Sequence, residues 1–202
     1  MMAAPKLVMA TRNRGKAEEL KALLGDLTVE ILTLDHFSGL AEIAETGASF
    51  RENACLKAHA VAGFTKLSAL ADDSGLVVDA LGGKPGVYSA RFAGEPSSDE
   101  RNNAKLLDLL QGVPLPERTA RFVCVMAFVT PEGDLKVTEG LCEGLILEEP
   151  RGTGGFGYDP LFYLPALEKT MAELSKEEKN RISHRSKAFA AMLPFLREYW
   201  QQ

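Results

Sequence analysis

A chain of 202 residues, 46% hydrophobic and 25% charged, has the composition of an ordinary globular protein, long enough for one domain or two closely packed lobes with a substantial core. Its formal net charge of −5 excludes general coating of nucleic acid, so any anion it binds must be met by a local cluster of bases or by a metal ion. Cys55, Cys124 and Cys142 form no CxxC pair, which argues against a cysteine zinc site and predicts reduced, mostly buried thiols.

Residues 1–5 lead straight into a strand-like segment without a secretory apolar region. No apolar run approaches the ~20 residues of a membrane span. A soluble, cytoplasmic protein with no membrane partner is expected. Residues 6–10 read as a short buried strand, and residues 17–24 as an amphipathic helix closed by Gly25. Between them, Thr11-Arg12-Asn13-Arg14-Gly15-Lys16 places backbone N–H groups and the bases Arg12, Arg14 and Lys16 at a helix N-terminus, where an anion is favoured. It is not a Walker A loop: Ala10 stands where the first Gly belongs, and Ala17 where Ser or Thr would meet magnesium. Taken alone, such a turn is more often a solvated surface.

Residues 29–34 read as a second strand. A polar connection with Glu42 and Glu45 follows, and Ser49-Phe50-Arg51-Glu52 fits a capping box opening a helix to about residue 64. Asn53 and Lys57, four apart, share a face of it. Residues 68–79 then carry Asp72 and Asp73 between two apolar runs, with a Ser74-Gly75 break expected after them. Carboxylates between buried strands are costly to desolvate without a partner. Side chains alternate along a strand, so both acids can face one site only if the strand ends there. The expected break makes Asp73 the principal site carboxylate.

Residues 81–94, rich in glycine, form a shaped loop. Ser98 caps a helix through residue 110, with Leu106, Leu107, Leu109 and Leu110 as expected core contacts. Residues 121–130 suit a strand buried on both faces, paired as a hairpin with residues 135–149 through a turn at residues 131–134, so the sheet is predicted to be mixed. Gly152 to Gly157 spell a literal GxGxxG, but no helix is predicted to follow. Residues 158–162 read as extended, and Pro160 turns Asp159 away from helical angles. Ser175-Lys176-Glu177-Glu178 is a second capping box, opening a helix to about residue 197 with Ile182, Phe189, Met192, Leu193 and Leu196 as its core stripe and Pro194 as a possible kink.

These pieces suit hydrolysis of a nucleoside triphosphate. Lys16 and the turn amides can hold phosphates, and Lys57 can neutralise charge on the attacked phosphoryl group. Glu45 with one or both of Asp72 and Asp73 can bind Mg²⁺, and a carboxylate there can take the proton of the attacking water. Phe156 can stack on a purine, and Lys179, His184 and Arg185 offer donors to a 6-oxo group that adenine lacks.

The chain resembles the inosine triphosphate pyrophosphatase family, the non-canonical purine NTP or dITP/XTP pyrophosphatases, from residue 6 to about residue 187. The resemblance is carried by residues 11–16, Glu45-Thr46-Gly47 with Glu52-Asn53-Ala54 and Lys57-Ala58, Ala71-Asp72-Asp73-Ser74-Gly75-Leu76, Pro85-Gly86-Val87-Tyr88-Ser89-Ala90-Arg91, Gly155-Phe156-Gly157-Tyr158-Asp159-Pro160 and Ser183-His184-Arg185. It implies a single α/β domain over residues 1–202, of two lobes around a long mixed β-sheet flanked by helices, with the active site in the cleft between lobes. It further implies a homodimer, Mg²⁺ dependence, and cleavage of ITP, dITP and XTP to the monophosphate and pyrophosphate, cleansing the nucleotide pool.

Residue by residue, it assigns Thr11, Arg12, Asn13, Arg14, Gly15 and Lys16 to the triphosphate, Asp73 as proton acceptor and metal ligand, and Glu45 as metal ligand. Ser74, Phe156, Gly157, Tyr158, Asp159, Lys179, His184 and Arg185 fall to the nucleotide. Arg12 and Arg14 make the first loop more basic than the family pattern requires. The rival readings are a Maf-type pyrophosphatase acting on pyrimidine or modified nucleotides, and a nucleotide sensor that binds without turnover. Paired acids beside a basic loop speak against a pure anion binder.

Overall fold

The computed structural model describes residues 4–25 and 27–201. The strands are β1 (Lys6–Met9), β2 (Glu30–Thr33), β3 (Ser68–Val78), β4 (Thr119–Val129), β5 (Leu135–Ile146), β6 (Phe162–Leu164) and β7 (Lys169–Thr170). The α-helices are α1 (Arg14–Leu24), α2 (Phe50–Thr65), α3 (Asp99–Leu109), α4 (Lys176–Ile182) and α5 (His184–Tyr199). The strands form one sheet in the order β2-β1-β3-β4-β5-β6-β7. β1 runs parallel to both β2 and β3, whereas β5, β6 and β7 pair antiparallel, so the sheet is mixed as predicted. Among the described residues no helix is long and apolar enough to cross a membrane.

The chain divides into two compact units. The first comprises the chain up to Asp73, Cys124–Gly140, and the chain from Arg185 on; the second is Ser74–Val123 with Leu141–His184. In the first, Leu7 and Met9 of β1, Leu70 of β3 and Met126 and Phe128 of β4 are buried with Leu20 and Leu24 of α1 and Phe189, Met192 and Leu196 of α5. Each such side chain contributes about 1.5–3 kcal/mol of transfer free energy. Phe128 also meets Phe195, Tyr199 and Trp200 edge-on. In the second unit, Leu76, Val78, Leu106, Leu110, Phe122 and Phe162 centre a separate core. Cys124 and Cys142 are buried free thiols and Cys55 is half-buried.

Five expectations are corrected. Helix α1 starts at Arg14 rather than residue 17, because Asn13 caps it by accepting from the Lys16 amide at 3.1 Å. β3 does not break at Ser74-Gly75 but runs unbroken to Val78. Beyond the end of β1 its backbone finds other partners: Leu76 N–H donates to Ser89 Oγ at 2.9 Å and Val78 N–H to Lys84 O at 3.1 Å. With those groups satisfied, the turn propensity of Ser-Gly is overridden. Residues 158–161 form a turn rather than extended chain, the amides of Leu161 and Phe162 both folding back on the Tyr158 carbonyl, and the strand β6 begins only at Phe162.

The single C-terminal helix is two, separated by Ser183 in an extended conformation, ψ 154°. The second of them carries Pro194 inside and continues to Tyr199. Leu109 is exposed, and Leu106 and Leu110 form the buried face of α3. Ser98 and Ser175 cap their helices as expected, Ser175 with both halves of its box. At α2, Ser49 Oγ takes the Glu52 amide but the Glu52 carboxylate takes the Ala48 amide, so that box is displaced by one residue.

Candidate active site

In the first unit the site is laid out by strand alternation. Asp72 shares its parity in β3 with Leu70, on the face covered by α1 and α5. Its carboxylate Oδ2 lies 3.2 Å from Lys16 Nζ and accepts from Arg185 Nε and Nη2 at 3.3 and 3.2 Å. Arg185 also pairs through Nη1 with Glu19 of α1. Arg185 is 1% exposed and Asp72 likewise, and the buried carboxylates raise the guanidinium pKa against the desolvation that would lower it. The two adjacent acids therefore do not serve one point. Arg185, expected beside Lys179 and His184, is instead committed to Asp72 and Glu19.

Asp73, one residue on, faces α2. Its Oδ2 accepts from Asn53 Nδ2 at 3.1 Å, and its Oδ1 lies 3.5 Å from Lys57 Nζ. Lys57 Nζ also donates to Glu45 Oε1 at 2.6 Å. Asn53 and Lys57 thus share a helix face, as their spacing predicts, and that face meets Asp73. Asn53 accepts in turn from the Gly47 amide at 2.8 Å, which anchors the segment carrying Glu45. That approach requires glycine: a Cβ on Gly47 would sit 2.7 Å from Asn53 Oδ1.

Burial pushes Asp73 above the usual carboxylate range, with the Glu45 charge adding to it and Lys57, Lys16 and Asn53 opposing. Burial alone would lower Lys57; Asp73, Asp72 and Glu45 together hold it above its ordinary value. Thr11, Asn13, Gly15 and Lys16 gather at the start of α1, where Thr11 Oγ1 accepts from the Asn13 amide at 3.2 Å. Arg12 and Arg14 are exposed, Arg12 reaching the Leu40 carbonyl at 3.4 Å.

Among the described residues, no three His, Cys, Asp or Glu side chains converge as a metal cage. Glu45 and Asp73, however, share one ammonium. Mg²⁺ is commonly bound by one or two carboxylates completed by water and substrate phosphates. Two hard oxygen donors, one of them held back from ionisation by burial and a like charge, fit such a cation. Asp72 has Lys16 and Arg185 in that role.

In the second unit, the Gly-rich stretch is a loop with no helix after it, as predicted. Asp159, 3% exposed, accepts from the Phe156 amide at 2.9 Å and from Lys179 Nζ at 2.7 Å. Lys179 Nζ lies 4.8 Å from the centre of the Phe156 ring. Gly155, at φ +72°, must be glycine, since a Cβ there would fall 2.0 Å from Asp159 Oδ2. Tyr158 Oη donates to the Ser89 carbonyl at 2.8 Å, and burial raises its pKa well above the ordinary value. The His184 ring is buried and stacked on Phe122, centroids 4.9 Å apart. Ser74 is half-buried on β3.

Sequence reasoning missed Glu19, which partners Arg185, and Asp99 and Asn103, which reach Gly157 from α3. The four-residue spacing of Asp99 and Asn103 behind the Ser98 cap was the available signal.

The model of the Ham1 family matches residues 7–195. The dITP/XTP pyrophosphatase of Desulforamulus reducens is 56% identical over 191 residues, 95% of each chain, and that of Geobacillus kaustophilus is 54% identical over 98% of this chain and 95% of its own. Among solved structures, the Ham1 protein of Staphylococcus aureus matches with a TM-score of 0.86 at 43% identity, covering 96% of this chain and 99% of its own. A HAM1 protein from Coxiella burnetii matches with a TM-score of 0.88 at 42% identity and the same coverage.

Proposed function

The chain belongs to the Ham1 family, and from that premise we propose that it hydrolyses non-canonical purine nucleoside triphosphates, dITP, XTP and ITP, to the monophosphate and pyrophosphate. The observation that carries the reading is the Glu45–Lys57–Asp73 cluster, its Asp73 buried and its Lys57 and Glu45 half-buried, held by Asn53 in a unit that also presents Lys16 at a helix N-terminus. A buried carboxylate raised above its usual pKa can accept the proton of an attacking water. As the α–β phosphoanhydride breaks, water supplies the new oxygen and its proton passes to Asp73. The Lys57 ammonium offsets charge gathering on the phosphoryl oxygens.

Glu45 and Asp73 would hold Mg²⁺, which would neutralise charge on the triphosphate and polarise the reacting phosphoryl group. Asp72 restrains Lys16 within reach of phosphate and is not itself a ligand. Thr11, Asn13, Gly15 and Lys16 hold the phosphates, with Arg12 and Arg14 as outer charges. In the second unit, Phe156 stacks on the base, Asp159 aims Lys179 at it, and His184 with Ser74, Gly157 and Tyr158 completes that wall. Arg185 contributes through Asp72. The protein acts as a cytoplasmic homodimer.

A substrate panel with Mg²⁺ tests the reading: rapid pyrophosphate release from dITP, ITP and XTP is expected, with little from ATP or GTP. Equal turnover of ATP would refute the base selection, and preference for dTTP or UTP would favour a Maf-type activity instead. Binding of ITP without product would point to a sensor.

A further inference from the structure

We propose that Asp99 and Asn103 of α3 are positioning residues that set the direction of the Phe156 ring, and so the affinity for the purine base. The inference rests on the reading of Phe156 as the base-stacking residue.

The two side chains stand four residues apart and share a face of α3. Asp99 Oδ2 accepts from the Gly157 amide at 2.7 Å, and Asn103 Nδ2 donates to the Gly157 carbonyl at 2.9 Å. Both polar groups of a single loop residue are thus held by one helix. On the other side, Asp159 Oδ2 accepts from the Phe156 amide at 2.9 Å. The peptide group before the Phe156 Cα is thus pinned by the Asp159 carboxylate, and the one after it by Asp99 at its N–H and by the Asp159 amide, 3.2 Å away, at its carbonyl. With both peptide planes fixed, the Cα–Cβ bond of Phe156 has one direction.

Helix α3 adds to the loop's own bonds an anchor from outside it. Gly155 and Gly157 both take positive φ, +72° and +61°, a region glycine leaves as readily as it enters. α3 is itself well anchored: Ser98 caps it, and Asn102 bonds the Ala93 amide at 2.7 Å and the Ala90 carbonyl at 3.0 Å. Asn103 holds Gly157 at a cost, since its Oδ1 is buried and finds no hydrogen-bond partner among the described residues. A residue kept there for packing alone would do better without that atom.

The test is steady-state pyrophosphate release from dITP by Asp99→Ala, Asp99→Asn, Asn103→Ala, Phe156→Ala and the Asp99→Ala/Phe156→Ala pair. Asp99→Ala and Asn103→Ala are each expected to raise KM about tenfold with kcat little changed, as loss of a hydrogen bond acting on binding alone should. Asp99→Asn, which keeps an acceptor for the Gly157 amide, restores KM. In the Phe156→Ala background, Asp99→Ala adds nothing further, because the group it positions is gone.

Additive effects in that pair, or an unchanged KM in Asp99→Ala and Asn103→Ala while Phe156→Ala raises it, overturn the inference alone. An unchanged KM in Phe156→Ala overturns the stacking reading and the inference with it. Should Asp99→Ala fail to fold, Asp99→Ser and Asn103→Ser carry the same comparison.

Discussion

Asp73 is a carboxylate whose burial opposes its ionisation and whose neighbours, Lys57 and Asn53, favour it. Replacing it with Asn keeps the shape and removes the proton acceptor. Asp73→Asn is expected to lose a factor of about 10²–10⁴ in pyrophosphate release while its circular dichroism stays native. Retained turnover would remove Asp73 from its role. Asn53 bears on the same proton differently. Its Nδ2 stabilises the charged form of Asp73, so deleting that bond raises the Asp73 pKa further. The base works only when ionised, so its activity is lost as pH falls through that pKa. Asn53→Ala, which removes a donor to the charged form, is therefore expected to move the acid limb of the pH–rate profile to higher pH than in the unsubstituted protein; a limb that stays put or moves down would contradict this.

At the scale of elements, the pattern of apolar residues carried the strands and helices, and local polar chemistry decided what it could not. The helical spacing of Asn53 and Lys57 was enough to put both on one face, and the fold turns that face to Asp73. The course of β3 was not legible, because Ser74-Gly75 is a turn signal in isolation and partners distant in sequence, β4 beside it with the Ser89 hydroxyl and the Lys84 carbonyl, keep it extended. Likewise Ser183, which ends α4 and stands directly before α5, is a residue type that caps a helix as well as sits inside one, and its extended ψ shows only in the folded chain. The Gly-rich loop was legible as a loop, yet its inner bonds were not. Gly155→Ala, forced to positive φ with its methyl on the Asp159 carboxylate, is expected to destabilise the protein by about 1 kcal/mol or more in urea unfolding and to raise KM for dITP.

For the molecule as a whole, family membership and mixed topology were accessible from ordered motifs, whereas the division of labour between the two acids was not. Strand parity separates Asp72 from Asp73, and only the folded chain shows Arg185 reaching back to Asp72 and Glu19. This buried ion network joins segments from both ends of the chain inside the first unit. Arg185→Met leaves the buried Asp72 with Lys16 alone and removes two charged hydrogen bonds, so it is expected to cost about 1.5–3 kcal/mol in chemical denaturation. A loss below about 1 kcal/mol, the scale of an exposed pair, would show that the network is not structural.

The unbroken run of β3 has a consequence for how this sequence can drift. The identity of each acid is a matter of odd and even count: Asp72 is what it is because an even number of steps separates it from Leu70, and Asp73 because it does not. A single residue gained or lost in the strand before them would exchange the proposed base with the partner of Lys16, leaving the composition of the site untouched and its wiring inverted. A change of length by one residue therefore inverts the site, which a volume-conserving exchange of one apolar residue for another does not. The strand behaves as a reading frame for the site.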